Sequence, residues 1–152
     1  MVKTFRLKST HVGLLMKSYK VSDADLLDFT AANPLEMGEW VTLNASEELA
    51  RCADPGVTPG PFVVYNEKGR SDTQGIGGRG MTTVIMGGTF VGETKIFEGT
   101  PALGAALEAA DVTYLTLTKS GLQAYTSGTT IGHVLRTAAS NNGWLQFLYT
   151  AS

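Results

Sequence analysis

The sequence has very few residues suited to disulfides, metal centres or nucleophilic catalysis. Cys52 is the single cysteine in 152 residues, so an internal disulfide and a cysteine-built metal cluster are excluded. Cys52 and His133 have the residue types of a nucleophile and its base, but no family signature surrounds the cysteine, and we expect a small buried side chain. The carboxylates form no evident acid and base pair. We therefore predict no catalytic residue, no metal and no cofactor, and we do not expect an enzyme.

Long apolar runs are also missing. No stretch approaches the roughly 20 apolar residues that span a bilayer. The longest N-terminal apolar run, Val12 to Met16, is too short for the hydrophobic region of a signal peptide. Residues 1–20 lack acids, as organelle transit peptides do. Such peptides are rich in arginine, however, and Arg6 is the only arginine here, so we do not expect a transit peptide. We expect a protein that is made in the cytoplasm and does not contact a membrane.

Composition and turn spacing predict a mainly β fold. Hydrophobic residues make up 43% of the chain and charged residues 17%, which is typical of a single packed domain. The 18 glycines are scattered between short β-branched runs and indicate many tight turns. Strand-like runs occur at 38–43, 62–66, 81–86, 94–97, 112–118, 122–125, 131–136 and 144–149. We predict one small antiparallel β-barrel or sandwich with one or two short helices.

The strand-like runs also predict the core. Trp40 and Trp144 could instead anchor an interface, because tryptophan is common at binding hot spots. Both lie in alternating apolar runs, however, and this favours a position in the core. The predicted core positions are Trp40, Val41, Val63, Val84, Ile96, Leu115, Val134, Trp144 and Phe147.

Two segments have the pattern of short helices. The first begins at Ser22, whose side chain can cap the amide of Asp25, and ends before Pro34. The second covers residues 101–110, which are rich in alanine and begin with Pro101. We expect it to cover one end of the barrel.

Residues 75–80 read GIGGRG, which has the spelling of a dinucleotide-binding G-x-G-x-x-G loop. That site requires a strand directly before the loop and a helix N-terminus after it. The residues that follow, 81–86, are a β-branched run closed by Gly87 and Gly88, and residues 67–74 separate the loop from the preceding strand. The pattern therefore favours a glycine-rich loop between two strands.

Charge is distributed unevenly along the chain. Residues 1–20 carry five basic and no acidic side chains, whereas residues 21–60 carry eight acids and only Arg51 as a base. Apolar residues alternate with the bases of the first segment, which predicts an extended N-terminal arm that another surface covers. The acidic block behind the arm would repel phosphates, so we do not expect direct nucleic-acid binding. The predicted organisation is an arm with a possible short helix, residues 1–33, and a β-barrel domain, residues 34–152.

Five segments resemble a known family of viral proteins. They are AANPLEMGEWVTLN (31–44), PFVVYNEKGRSDTQ (61–74), TVIMGGTFVGETKIFE (83–98), KSGLQAYTSGTTIGHVLR (119–136) and NGWLQFLY (142–149). In this order they resemble the small decoration, or cement, proteins on the capsids of tailed bacteriophages. The resemblance covers roughly residues 31–149 and rests on turns and strand edges. It implies a compact barrel, often called a β-tulip, at the junctions between capsomers and frequently a homotrimer.

The resemblance implies a structural role in the virion. The expected function is to bind the outside of the expanded head and to stabilise it against the pressure of packaged DNA, with the major capsid protein as partner. The protein would be in the host cytoplasm during assembly and on the capsid surface afterwards. The arm could add as a strand to a sheet edge of the coat protein. The predicted capsid-interface residues are Lys3, Phe5, Arg6, Leu7, Lys8, Leu14, Leu15, Met16, Lys17, Tyr19 and Lys20.

Two other functions remain open at this point. Another β-rich virion component, such as a tail-tube or fibre-associated protein, would differ by polymerising alone or by binding a host surface. A small nucleotide-binding enzyme would use the loop at residues 75–80.

Overall fold

The structure is a computed structural model that describes residues 4–8, 13–27, 31–51, 60–65 and 81–150. A four-residue 3-10 helix, Ala24–Leu27, lies within these ranges. The β-strands are β1 (Phe5–Leu7), β2 (Leu15–Lys20), β3 (Trp40–Leu43), β4 (Leu49–Arg51), β5 (Phe62–Val64), β6 (Met81–Gly87), β7 (Thr89–Thr94), β8 (Ala106–Tyr114), β9 (Leu117–Ala124), β10 (Thr130–Arg136) and β11 (Leu145–Thr150).

The strands form two antiparallel sheets. A six-stranded sheet has the order β1-β7-β11-β10-β8-β9, and a five-stranded sheet has the order β2-β6-β5-β3-β4. The chain passes from the second sheet to the first at Gly88, whose φ of 97° suits glycine because no Cβ is present. The prediction of a mainly β, antiparallel fold is confirmed. Its form is that of two packed sheets, and neither sheet closes into a barrel within the described residues.

An aromatic core joins the two sheets. The rings of Phe90 and Tyr149 stack with centroids 4.7 Å apart, and Trp40 stacks on Tyr149 at 5.7 Å. Strand β11 contributes alternate side chains to this core. Leu145, Phe147 and Tyr149 are buried, whereas the residues between them are not. The amphipathic pattern of the sequence therefore decides which face of this strand packs inward.

A second core covers the other face of the five-stranded sheet. Val41, Val64 and Val84 point into it, and they pack against Leu27 of the 3-10 helix and Leu35. Their neighbours in the same strands point into the aromatic core. Both faces are covered at the middle strand β5, and its three residues are accordingly all apolar and buried.

Most of the predicted core positions are buried. The buried ones are Trp40, Val41, Val63, Val84, Ile96, Val134, Trp144 and Phe147. The prediction for Leu115 was wrong, because its side chain is 72% exposed. Leu115 and Thr116 have φ values of 49° and 68° and form the turn between β8 and β9, so the run 112–118 is two strands and not one.

The predicted helix at 101–110 was also wrong. Residues 106–110 belong to strand β8, which pairs with both β9 and β10. Ala109 and Ala110 lie opposite Leu122 and Gly121 of β9, and both alanines are buried. Helix propensity is a weak preference, and tertiary pairing overrides it here.

The predicted helix after Ser22 is reduced to the 3-10 turn, and residues 28–30 lie outside the described ranges. Asp23 Oδ1, not the Ser22 side chain, accepts the Asp25 amide at 3.0 Å.

The predicted N-terminal arm is largely part of the fold. Strand β1 pairs with β7, and Phe5 is fully buried against the rings of Tyr65, Phe90 and Phe147. Strand β2 pairs with β6 along its whole length. Within the described part of residues 1–33, β1 and β2 are therefore strands of the two sheets, and Phe5 supplies contacts to the aromatic core.

Candidate binding surfaces

The predicted interface residues separate into two groups on different sheets. Phe5 and Leu7 face the core from β1, and Leu14 packs against the same core. Arg6 of β1 and Lys8, which follows that strand, have partly exposed side chains. The remaining described members lie on β2, namely Leu15, Met16, Lys17, Tyr19 and Lys20. Lys3 lies outside the described residues.

Strand β2 forms an unpaired sheet edge within the described part of the chain. It is the outermost strand of the five-stranded sheet and pairs only with β6. Leu15 is 56% exposed and Met16 37%, while Lys17 and Lys20 carry positive charge. Such an edge offers backbone N–H and C=O groups to an additional strand. We call residues Leu15–Lys20 the β2 edge.

The other long edge is covered by the protein itself. The outer side of β9 pairs with residues 96–98, where the Leu122 amide donates to Ile96 at 3.1 Å and the Glu98 amide donates to Leu122 at 2.9 Å. At β4, the Ser22 amide donates to Leu49 at 2.8 Å. Among the described strands at sheet ends, β2 therefore has the longest edge without such cover.

A second surface lies around β1, β7 and the start of β11. Glu93 on β7 is opposite Arg6 on β1 and Gln146 on β11. Its buried carboxylate accepts hydrogen bonds from Arg6 Nε at 2.5 Å, Asn141 Nδ2 at 2.5 Å and Gln146 Nε2 at 3.1 Å. Lys8 Nζ is 4.0 Å from the same carboxylate.

Burial of Glu93 by itself raises its pKa. Hydrogen bonds from Asn141, Arg6 and Gln146, together with the positive charge of Arg6, outweigh that effect and hold the pKa below its usual value. Glu93 is therefore ionised at neutral pH and orients the guanidinium of Arg6.

Trp144 joins this surface through its ring. The Arg6 guanidinium lies 4.1 Å from the ring centroid, and Lys95 Nζ lies 5.1 Å from it. The tryptophan is 9% exposed, so cationic side chains cover it together with the sheet. We call Arg6, Lys8, Lys95 and Trp144 the basic patch.

A third cluster of charges is buried between the sheets. The fully buried Glu39 accepts from Arg51 Nε at 2.7 Å and from the Ser120 amide at 3.0 Å. Lys119 of β9 is 1% exposed, and its Nζ lies 3.7 Å from Glu39 and 3.9 Å from Glu36. Because these partners belong to both sheets, the cluster ties β9 to β3 and β4.

Glu108 stabilises a loop in a similar way. Its carboxylate accepts from the amides of Thr126, Ser127 and Gly128 and from the Thr126 hydroxyl. Burial raises its pKa, but these hydrogen bonds outweigh burial and the pKa is lowered. The residue organises the turn between β9 and β10.

Of the histidines and the cysteine considered for chemistry, only His133 lies within the described ranges. His133 is exposed on β10, opposite Leu148 and Ala106. His11, Cys52 and the 75–80 loop lie outside the described ranges. Within those ranges no three His, Cys, Asp or Glu side chains are placed to hold a metal ion. No described helix has the length and apolar character needed to cross a membrane.

Sequence reasoning found Arg6 and Lys8 but missed Glu93 and Lys95. Both pairs have i, i+2 spacing, which places side chains on one face of a strand. That spacing was the available signal, but only the register between β1 and β7 shows that the two pairs are neighbours.

Comparison of the chain with protein-family models finds no match, and comparisons with curated proteins and with solved structures find no significant match.

Proposed function

We propose that this protein is a structural virion protein that binds the outside of an expanded phage capsid at the junctions between capsomers. The resemblance of residues 31–149 to capsid decoration proteins motivates the proposal, and the mainly β fold agrees with it. The major capsid protein would be the partner, and a homotrimer would be the bound form. By binding only the expanded shell, the protein would stabilise that state by mass action.

The β2 edge is the structural feature that best supports a contact with the coat protein. It combines an unpaired strand with exposed Leu15 and Met16 and with two lysines. A segment of coat protein can pair with this edge through backbone hydrogen bonds, while the exposed side chains determine the register. Many modest contacts around a closed shell then combine through high effective concentration.

The test uses expanded heads assembled from the major capsid protein encoded in the same genome. Purified protein is mixed with the heads, and cryo-electron microscopy compares them with heads alone. We expect added density at the capsomer junctions, with three copies per site. Bare heads at saturating protein would overturn the proposal and favour the tail or fibre alternative.

Two variants test the contribution of the β2 edge. Leu15→Asp combined with Lys17→Asp places two acids on the edge, and we expect at least about a tenfold weaker affinity for the heads. Leu103→Asp is the matched control, because Leu103 is 71% exposed in the loop before β8. Equal occupancy by both variants would contradict the assignment of the contact to β2.

A further inference from the structure

The basic patch carries an excess of positive charge that the described residues do not neutralise. Arg6 and Lys8 lie beside Glu93, and Lys95 lies over the ring of Trp144, which gives three positive charges against one negative. Arg136 adds a fourth positive charge at the rim, because it lies opposite Gln146 on the next strand pair. The surplus lies on the six-stranded sheet, apart from the β2 edge.

The cationic groups retain donors that can bind a ligand. Among the described residues, Arg6 uses Nε toward Glu93 and makes no side-chain hydrogen bond through its terminal nitrogens. Lys8 has its nearest described carboxylate at 4.0 Å, and Lys95 contacts the ring of Trp144. Glu93 thus holds the guanidinium in place while the outward N–H groups stay available for a carboxylate.

The spacing of these donors suits an extended acidic segment. Arg6 lies on β1 and Lys8 directly follows that strand, so the two residues are separated by about 6.6 Å of extended backbone. Carboxylates at alternate positions of an extended peptide have the same repeat. Lys95 directly follows the neighbouring strand β7 and continues the cationic surface toward Trp144.

The state of Trp144 argues against a nucleic-acid ligand. Single-stranded nucleic acids bind by stacking bases on exposed aromatic rings. The ring of Trp144 is covered by Arg6 and is only 9% exposed, so it offers no stacking platform. We propose that the basic patch is a docking surface for an acidic protein segment, independent of the β2 edge.

A defined peptide tests this surface. A labelled hexaglutamate peptide is titrated against the full chain at low salt, with hexaglutamine as the uncharged control. We expect saturable binding of hexaglutamate only, and weaker binding as salt rises. Fluorescence of Trp144 should change with saturation, because the ligand alters the cations over the ring, and Trp144→Phe should remove that change. An absence of binding at low salt would overturn the proposal.

Matched variants locate the site. Lys8→Gln combined with Lys95→Gln removes two cations without removing a described hydrogen bond, and we expect hexaglutamate affinity to fall at least about tenfold. Lys20→Gln on the β2 edge should leave affinity unchanged. Equal affinity of the double variant and the unmodified protein, or tighter binding of a ten-nucleotide thymidine strand than of hexaglutamate, would contradict an acidic protein partner. Neither result depends on whether the protein binds heads.

Discussion

Leu115 and Thr116 adopt a backbone conformation that their side chains disfavour. Both have positive φ in a two-residue hairpin turn, where asparagine and glycine are the usual residues. A β-branched residue at positive φ is a strained exception, and such strain costs on the order of 1–3 kcal/mol. The turn is therefore a weak point in an otherwise regular hairpin.

Replacing this turn should stabilise the protein. We expect Leu115→Asn combined with Thr116→Gly to raise the free energy of unfolding by about 1 kcal/mol, or a few degrees in Tm. Urea denaturation measures the change. Leu103→Asn is the control, because this exposed leucine is not among the residues with positive φ. A gain of the same size in the control would show that loss of exposed leucine, and not turn strain, is responsible.

Glu93 should make stability depend on pH. Its pKa is lower in the folded chain than in the unfolded chain, so it stabilises the fold above the unfolded pKa of about 4.3. That contribution is lost as pH falls through the lower folded pKa. We expect Glu93→Gln to cost about 1–3 kcal/mol at pH 7 and to reduce the loss of stability as pH falls below the unfolded pKa. Denaturation curves at several pH values test this, with the exposed Glu98→Gln as control, and identical pH profiles for both variants would refute it.

At the scale of elements, β1 and β2 have opposite roles despite similar composition. Strand β1 places Phe5 in the aromatic core, whereas β2 leaves most of its side chains exposed. Truncation of the first 20 residues would therefore remove a core ring as well as the β2 edge. A binding test by deletion would confuse folding with recognition.

Single substitutions separate the two strands. We expect Phe5→Ala to destabilise the protein by about 3–5 kcal/mol, because it leaves a cavity among aromatic rings. Leu15→Ala should change stability by no more than about 0.5 kcal/mol. Thermal melts of the two variants test the contrast. A mild effect of Phe5→Ala would mean that β1 contributes little to the core.

At the scale of the whole molecule, buried charges connect the two sheets. Glu39 pairs with Arg51 of one sheet and lies near Lys119 of the other. Removing one member of a buried ionic cluster leaves the others without compensation. The cluster therefore specifies how the sheets fit together, beyond what apolar packing alone defines.

Neutralising Glu39 should be costly. We expect Glu39→Gln to lower the free energy of unfolding by about 3–5 kcal/mol, whereas Glu36→Gln should cost about 1 kcal/mol or less, since Glu36 is partly exposed and lies 3.9 Å from Lys119. Denaturant midpoints of the two variants measure the difference. Similar midpoints would show that Glu39 does not link the sheets.

The sequence by itself determined the class of fold and many buried positions. Alternation in residues such as 145–149 and the frequent turn residues are local signals, and they predict strands without knowledge of their partners. Other features were decided only by the tertiary structure, because they depend on pairing between residues that are distant in the sequence. Strand β8 forms from an alanine-rich segment because β9 and β10 flank it, and Leu115 leaves the core because the chain turns there. The basic patch exists because β1 lies beside β7. Arg6 and Glu93 are 87 positions apart in the sequence, and no local pattern encodes the register that brings them together.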